Sequence, residues 1–116
     1  MLNKSKGMKR TIDDSKIITL LQFAHKAGKL LSGSDAVIRH ARSGKVKLII
    51  LTEDLSFHSR KKILYLNQSI NIPVAVWGHK KDTLQFALKE SGVLAITDIN
   101  FAKGLLKYLS YKEVEE

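Results

Sequence analysis

The sequence predicts an α/β fold, a sheet with helices on both of its faces. Three observations predict it. Short apolar runs alternate along the chain with longer segments whose apolar residues recur every three or four positions. One run, Leu48-Ile49-Ile50-Leu51, is apolar without interruption, the pattern of a strand covered on both sides in a parallel or mixed sheet. Glycines and one proline separate the segments at Gly28, Gly33, Gly44, Pro73 and Gly92.

The elements follow in order. Asp14 or Ser15 can cap a first helix running to about Ala27, with Ile17, Leu20, Leu21, Ala24 and Ala27 as its apolar stripe and Gly28 as its stop. Lys29-Leu30-Leu31-Ser32 is a short extended piece. Gly33 and Ser34 open a second helix with Val37, Ile38 and Ala41 inward, Arg39 and Arg42 outward, and an end at Gly44. The strand over Lys47–Thr52 leads through Glu53-Asp54 into a helix from about Ser56 to Ser69, whose inner face is Ile63, Leu66 and Ile70. Pro73 introduces a strand over Val74–Trp77, where its missing N–H is tolerated. Lys81 to Lys89 reads as a further helix around Leu84, Ala87 and Leu88. A last strand covers Val93–Thr97. Asp98 then caps a final helix striped by Ala102, Leu105, Leu106 and Leu109.

A chain of 116 residues is one domain. We place it at 14–110, between a flexible basic arm over 1–13 and an acidic tail over 111–116. With no cysteine, a disulfide scaffold, a zinc–thiolate site, an iron–sulfur cluster and a cysteine nucleophile are excluded. The composition fits a reducing, cytoplasmic setting. No apolar run approaches the ~18 residues of a membrane span, so no membrane partner is expected. Met1 to Arg10 lacks the apolar core and cleavage site of a secretory signal.

The charge is more informative. Twenty Lys and Arg against eleven Asp and Glu give +9. The whole excess lies in residues 1–62, which hold 14 basic and 5 acidic side chains; residues 63–116 hold 6 of each. That asymmetry is the footprint of a protein that binds a polyanion, against the plainer reading of a basic soluble surface.

Few residues suggest catalysis. The four histidines, His25, His40, His58 and His79, show no i, i+4 pairing of a helical metal site. Glu53 and Asp54 follow the buried strand, where ligands often bind in α/β sheets, but adjacent carboxylates there more often cap the next helix. Gly28-Lys29 and Gly33-Ser34 match no nucleotide-binding glycine motif, and no serine has a hydrolase elbow around it. No enzyme, cofactor, metal or small-molecule substrate is therefore expected. The segment Gly28–Lys47 differs. It gathers Lys29, Arg39, Arg42, Lys45 and Lys47 around one glycine-led helix with only Asp35 acidic. Free N–H groups at a helix start attract phosphate, Gly33 permits close approach, and arginines three apart share a face.

The stretch from Leu30 to Asp54 resembles the kink-turn-binding ribosomal-protein superfamily of L-seven-Ae and L-thirty-e type. The likeness continues through Asn71-Ile72-Pro73-Val74 and Leu84, and the ending from Ala95 to Leu106 looks closest to the bacterial YlxQ-type branch. The resemblance spans about residues 15–109. It implies a three-layer α/β/α sandwich with a mixed four-stranded sheet, and binding to sharply bent RNA with sheared G·A pairs. In that family a Gly-x-Asn-Glu-x-x-Lys motif opens the second helix. By position, Gly33 matches the glycine and Arg39 the lysine, while Asp35 replaces the asparagine and Ala36 the glutamate. A second family contact, the loop before the last strand, corresponds to Glu90-Ser91-Gly92-Val93, and the family's Leu-Gly becomes Leu84-Gln85. Asparagine both donates and accepts, whereas an ionised aspartate only accepts, so a donor to the RNA is lost at Asp35.

The expected function is thus non-enzymatic binding of structured RNA, ribosomal or kink-turn-like, with the ribosome as a further partner. The expected contacts are Lys29, Gly33, Ser34, Asp35, Arg39 and Arg42, with Gly92 and Val93 as a second wall. Two rivals make different demands. A ribosome-associated protein-interaction module would need an apolar patch, for instance near Trp77 and Phe86. A hydrolase or transferase would use Glu53, Asp54 and a histidine.

Overall fold

Apolar residues that the sequence places in runs form the four strands, and those it places at helical spacing cover them. In the computed structural model, which describes residues 2–87 and 89–115 and the side chains of 14–87 and 89–109, the order is α1 (Leu2–Lys26), β1 (Leu30–Ser32), α2 (Ser34–Arg42), β2 (Leu48–Leu51), α3 (Phe57–Ile70), β3 (Val74–Val76), a 3₁₀ helix (Lys80–Gln85), β4 (Val93–Ile96) and α4 (Ile99–Glu115). The side chains of the expected basic arm and acidic tail lie outside the described residues.

The strands form one mixed sheet in the order β1-β4-β2-β3. β4 runs antiparallel to both neighbours, pairing Leu30 with Ile96 on one side and Leu48 with Ile96 on the other. β2 and β3 are parallel, with Ile50 opposite Ala75. Side chains alternate across a strand, so the apolar run of β2 feeds two cores. Leu48 and Ile50 join Leu94 and Ile96 under α1 and α4, through Ile17, Leu21, Ala24, Ala102, Leu105 and Leu109. Ile49 and Leu51 join Val93 and Ala95 under α2 and α3, through Val37, Ala41 and Ile63. This is the expected three-layer α/β/α sandwich. Each fully buried Leu or Ile side chain contributes roughly 1.5–3 kcal/mol of transfer free energy.

Helix ends show how local chemistry fixes the layers. The Asp98 carboxylate accepts from the amides of Asn100 and Phe101 (both 3.1 Å), the expected cap of α4. α3 ends at Asn71 in the left-handed region (φ 63°), and the Asn67 side chain brackets Ile72, donating to its carbonyl and accepting from its amide.

Four expectations are corrected. The helix expected over Lys81–Lys89 is a 3₁₀ helix ending at Gln85. Its buried residues, Thr83 and Phe86, recur every three positions, and Leu84 faces solvent; Leu88 lies outside the described residues. The cap of α3 is Ser56, whose Oγ accepts from the Ser59 amide at 3.2 Å, not Glu53 or Asp54. Asp14 does not start α1, which begins at Leu2; it lies within the helix and accepts from Trp77 Nε1 at 2.9 Å. Trp77 and Phe86 do not contribute to a surface patch: they are 2% and 5% exposed, with ring centroids 6.4 Å apart inside the α1/α4 core.

Candidate nucleic-acid interface

The chain leaves β1 and must turn sharply to place α2 on the sheet. Gly33 makes that turn with φ 99° and ψ 140°, a conformation open to glycine and strained for other residues. The first bond along α2 runs from the Val37 amide to the Gly33 carbonyl (3.1 Å). The amides of Ser34, Asp35 and Ala36 precede it, and no side chain caps this helix start. Three donors at the positive end of a helix dipole therefore face outward beside Gly33. Asp35, exposed on that first turn, is favoured by the dipole and accepts rather than donates.

The Gly33 amide itself is not one of the free donors. It donates to the Val93 carbonyl at 2.9 Å and to Ser91 Oγ at 3.1 Å. Ser91 Oγ donates in turn to the Val93 carbonyl (2.9 Å), and the Ser91 amide donates to Thr83 Oγ1 (3.1 Å). The buried Thr83 hydroxyl donates to the Lys80 carbonyl at 2.7 Å. A polar chain thus runs from the 3₁₀ helix through Ser91 to the start of α2. Sequence reasoning missed Ser91 and Thr83, because nothing in their local pattern announces a partner many residues away.

The second wall is corrected at Val93. Val93 is 1% exposed and belongs to the α2/α3 core, so its side chain cannot meet a ligand. Gly92 is half-buried, and a Cβ there would lie 2.6 Å from Leu55 Cδ1, so the position needs glycine. The parts of this loop that reach solvent are Glu90 and, in part, Ser91 and Gly92.

Glu53 and Asp54 stand at the same end of the sheet and hold the neighbouring loop. The Glu53 amide donates to the Gly78 carbonyl (2.7 Å), and the Lys80 amide donates to Asp54 Oδ1 (3.0 Å). His79 Nε2 lies 3.7 Å from Glu53 Oε1. Desolvation pushes the Asp54 carboxyl up, but the polar Thr52 side chain, the Lys80 amide that donates to Asp54 Oδ1, the amide of Asp54 itself and the nearby His79 outweigh it and hold Asp54 below its ordinary value. Among the described residues no three His, Asp or Glu gather in a way that could hold a metal ion.

The remaining expected contacts separate. Arg39 and Arg42 are exposed and, with Asp35 and Lys62, line a groove of about 960 Å³ between α2 and α3. Neither arginine has a carboxylate within ion-pair distance among the described residues. Lys29 sits at the other end of β1, where its carbonyl accepts from the Thr97 amide at 3.0 Å. One end of the sheet thus unites Gly33, Ser34 and the Ser91 loop, the arginines extend from it along α2, and Lys29 lies apart.

Comparison with known proteins identifies the family. Residues 15–105 match the Ribosomal protein L7Ae/L30e/S12e/Gadd45 family. The chain is 34% identical over 96 residues to the RNA-binding protein YlxQ of Bacillus subtilis (strain 168), covering 78% of this chain and 91% of that protein. It is 28% identical over 88 residues to the RNA-binding protein YlxQ of Enterococcus faecium, covering 76% and 85%. A solved structure of a protein of unknown function from Bacillus halodurans C superposes with a TM-score of 0.78 at 31% identity, over 82% of this chain and 97% of that one. The Giardia lamblia 15.5kD RNA binding protein shares the fold at a TM-score of 0.72 and 12% identity, covering 90% of each chain. With a family match over most of its length and a mixed four-stranded sheet to go with it, the chain belongs to the L7Ae/L30e/S12e/Gadd45 family of ribosomal proteins, in its YlxQ-type branch.

Proposed function

We propose that this chain binds structured RNA in the cytoplasm without catalysing a reaction, and that the RNA is ribosomal or kink-turn-like. The observation that carries the reading is the start of α2. Three outward amides stand on a turn locked to the β4 entry, and two unpaired arginines follow on the same helix. Family membership and the naming of both YlxQ relatives as RNA-binding proteins support the same ligand class. The amides of Ser34, Asp35 and Ala36 would take a backbone phosphate, and Arg39 and Arg42 would hold phosphates along the strand. Asp35 would accept a hydrogen bond from a base edge.

The test is binding to a kink-turn RNA and to a matched plain duplex across a salt series. With on the order of five phosphate contacts, affinity falls steeply as salt rises. Tighter binding to the kink-turn supports the full reading. Equal binding to both removes the kink-turn and leaves structured RNA. Binding to neither, or binding indifferent to salt, overturns the proposal.

A further inference from the structure

The outer face of α3 plays no part in the site at the α2 start. Yet Phe57 and Tyr65 are the most exposed large apolar side chains among the described residues, at 77% and 75%. They do not stand alone. Phe57, Lys61, Leu64 and Tyr65 share one helix face at spacings of four, seven and eight. They line a shallow hollow of about 680 Å³, and Lys62, Tyr65 and Gln68 also line the α2–α3 groove, so hollow and groove adjoin.

We propose that this groove and the aromatic face of α3 form a platform for unpaired nucleotides flanking the RNA element held at the α2 start. The charge selects a polyanion. Arg39, Arg42, Lys61 and Lys62 surround the two hollows, α3 contains no acidic residue, and the one carboxylate on the rim is Asp35. None of the four cations has an ion-pair partner among the described residues. The rings select bases. A base stacks on an exposed aromatic face regardless of its identity, and a cationic groove beside it tracks the phosphates. Phe57 and Tyr65 are about 12 Å apart along the helix axis, so they meet two separate bases, not one stacked pair. Lys61 Nζ lies 5.8 Å from the Phe57 ring centroid, which already places a cation on one face of that ring. A buried protein–protein contact would favour few lysines at its centre, the opposite of this surface.

The inference rests on RNA being the ligand and shares Arg39 and Arg42 with that reading, but its rings, Phe57 and Tyr65, are not among the residues at the α2 start, so variants at the rings let the two fail separately. The probes are a single-stranded oligouridylate of about ten nucleotides, matched to typical single-strand site sizes, a kink-turn RNA without overhangs, and a polyglutamate peptide. The full chain is compared with Phe57→Ala, Tyr65→Ala and Tyr65→Phe, all at surface positions where folding is little affected. Each alanine change is expected to weaken oligouridylate binding about tenfold, while Tyr65→Phe, which keeps the ring, stays within about twofold. Binding of the overhang-free kink-turn is unchanged in all three. Oligouridylate binding indifferent to both alanine variants overturns the platform. So does polyglutamate binding that is equally tight and equally lost in Tyr65→Ala, because the face would then take an acidic protein. If the wild-type chain ignores the kink-turn but holds oligouridylate through Tyr65, the platform stands and only the specific reading at the α2 start fails.

Discussion

The Gly33 amide and the Val93 carbonyl meet at 2.9 Å, joining the first turn of α2 to the loop that enters β4. Ser91 Oγ doubles the link by accepting from the same amide and donating to the same carbonyl. Two segments far apart in sequence thereby become one edge. The buried residue of this pair, Val93, supplies a carbonyl and a core side chain; the surface is left to Ser34, Asp35 and the Ser91 loop.

Gly33→Ala tests that edge. A Cβ at Gly33 meets no atom within 4 Å, so the penalty is backbone strain alone. We expect a loss of about 1–3 kcal/mol in urea-unfolding stability, together with weaker kink-turn binding as the helix start shifts. A variant as stable as wild type would show that the turn relaxes without cost.

Arg39→Ala and Arg42→Ala separate phosphate contact from mere positive charge. Each exposed side chain can go with a stability change within about 0.5 kcal/mol. Each loss of a phosphate contact should lower the slope of log K against log salt by roughly one. Lys29→Ala, at the far end of β1, should leave the slope unchanged.

Asp35→Asn with Ala36→Glu restores the residues implied by the family motif. The double variant regains a donor and a second polar reader on the first turn of α2. Selectivity for a kink-turn over a duplex should rise by an amount corresponding to about 1–3 kcal/mol, read from paired titrations at one salt concentration. No gain would mean that recognition in this chain does not use those two positions.

Asp14→Ala leaves the Trp77 indole N–H without its acceptor in a nearly buried position. The expected cost is about 1–3 kcal/mol in unfolding stability. RNA affinity should not change, since the pair lies on the opposite side of the sheet from α2.

Asp54 predicts an acid-side effect. Its carboxyl is held below its ordinary value in the folded protein, so the folded state favours the ionised form. The stability it contributes is present above the unfolded pKa, near 4 for aspartate, and is lost as pH falls through the lower folded value. Asp54→Asn should therefore show a shallower fall in stability below about pH 4 than wild type, measured by urea unfolding at a series of pH values. Parallel curves would remove Asp54 from the acid response.

Much of the fold was legible because its signal is local. Leu48 to Leu51 announced a strand buried on both faces, and Asp98 announced the start of α4. The misread parts depend on distant partners. Leu84, Ala87 and Leu88 imitate a helical stripe, but Thr83 and Ser91 bind each other and favour a 3₁₀ turn. Glu53 and Asp54 look like caps until the Gly78–Lys80 loop folds against them. At the site, Gly33 was legible because glycine there means an unusual turn. Val93 was not, because a β-branched residue after a glycine reads equally as loop wall or first strand residue.

The sheet order has a consequence in time. β1 pairs only with β4, and β4 also fills the gap between β1 and β2. During synthesis, everything up to Gly92 can emerge while β1 still lacks a neighbour and the Gly33 amide still lacks its acceptor. The edge that joins Gly33 to Val93 is therefore assembled last, by residues made late in the domain. A nascent or truncated polypeptide ending before Val93 carries most of the basic side chains but lacks the carbonyl that fixes the Gly33 turn, so that geometry arrives only when translation of the domain is almost complete.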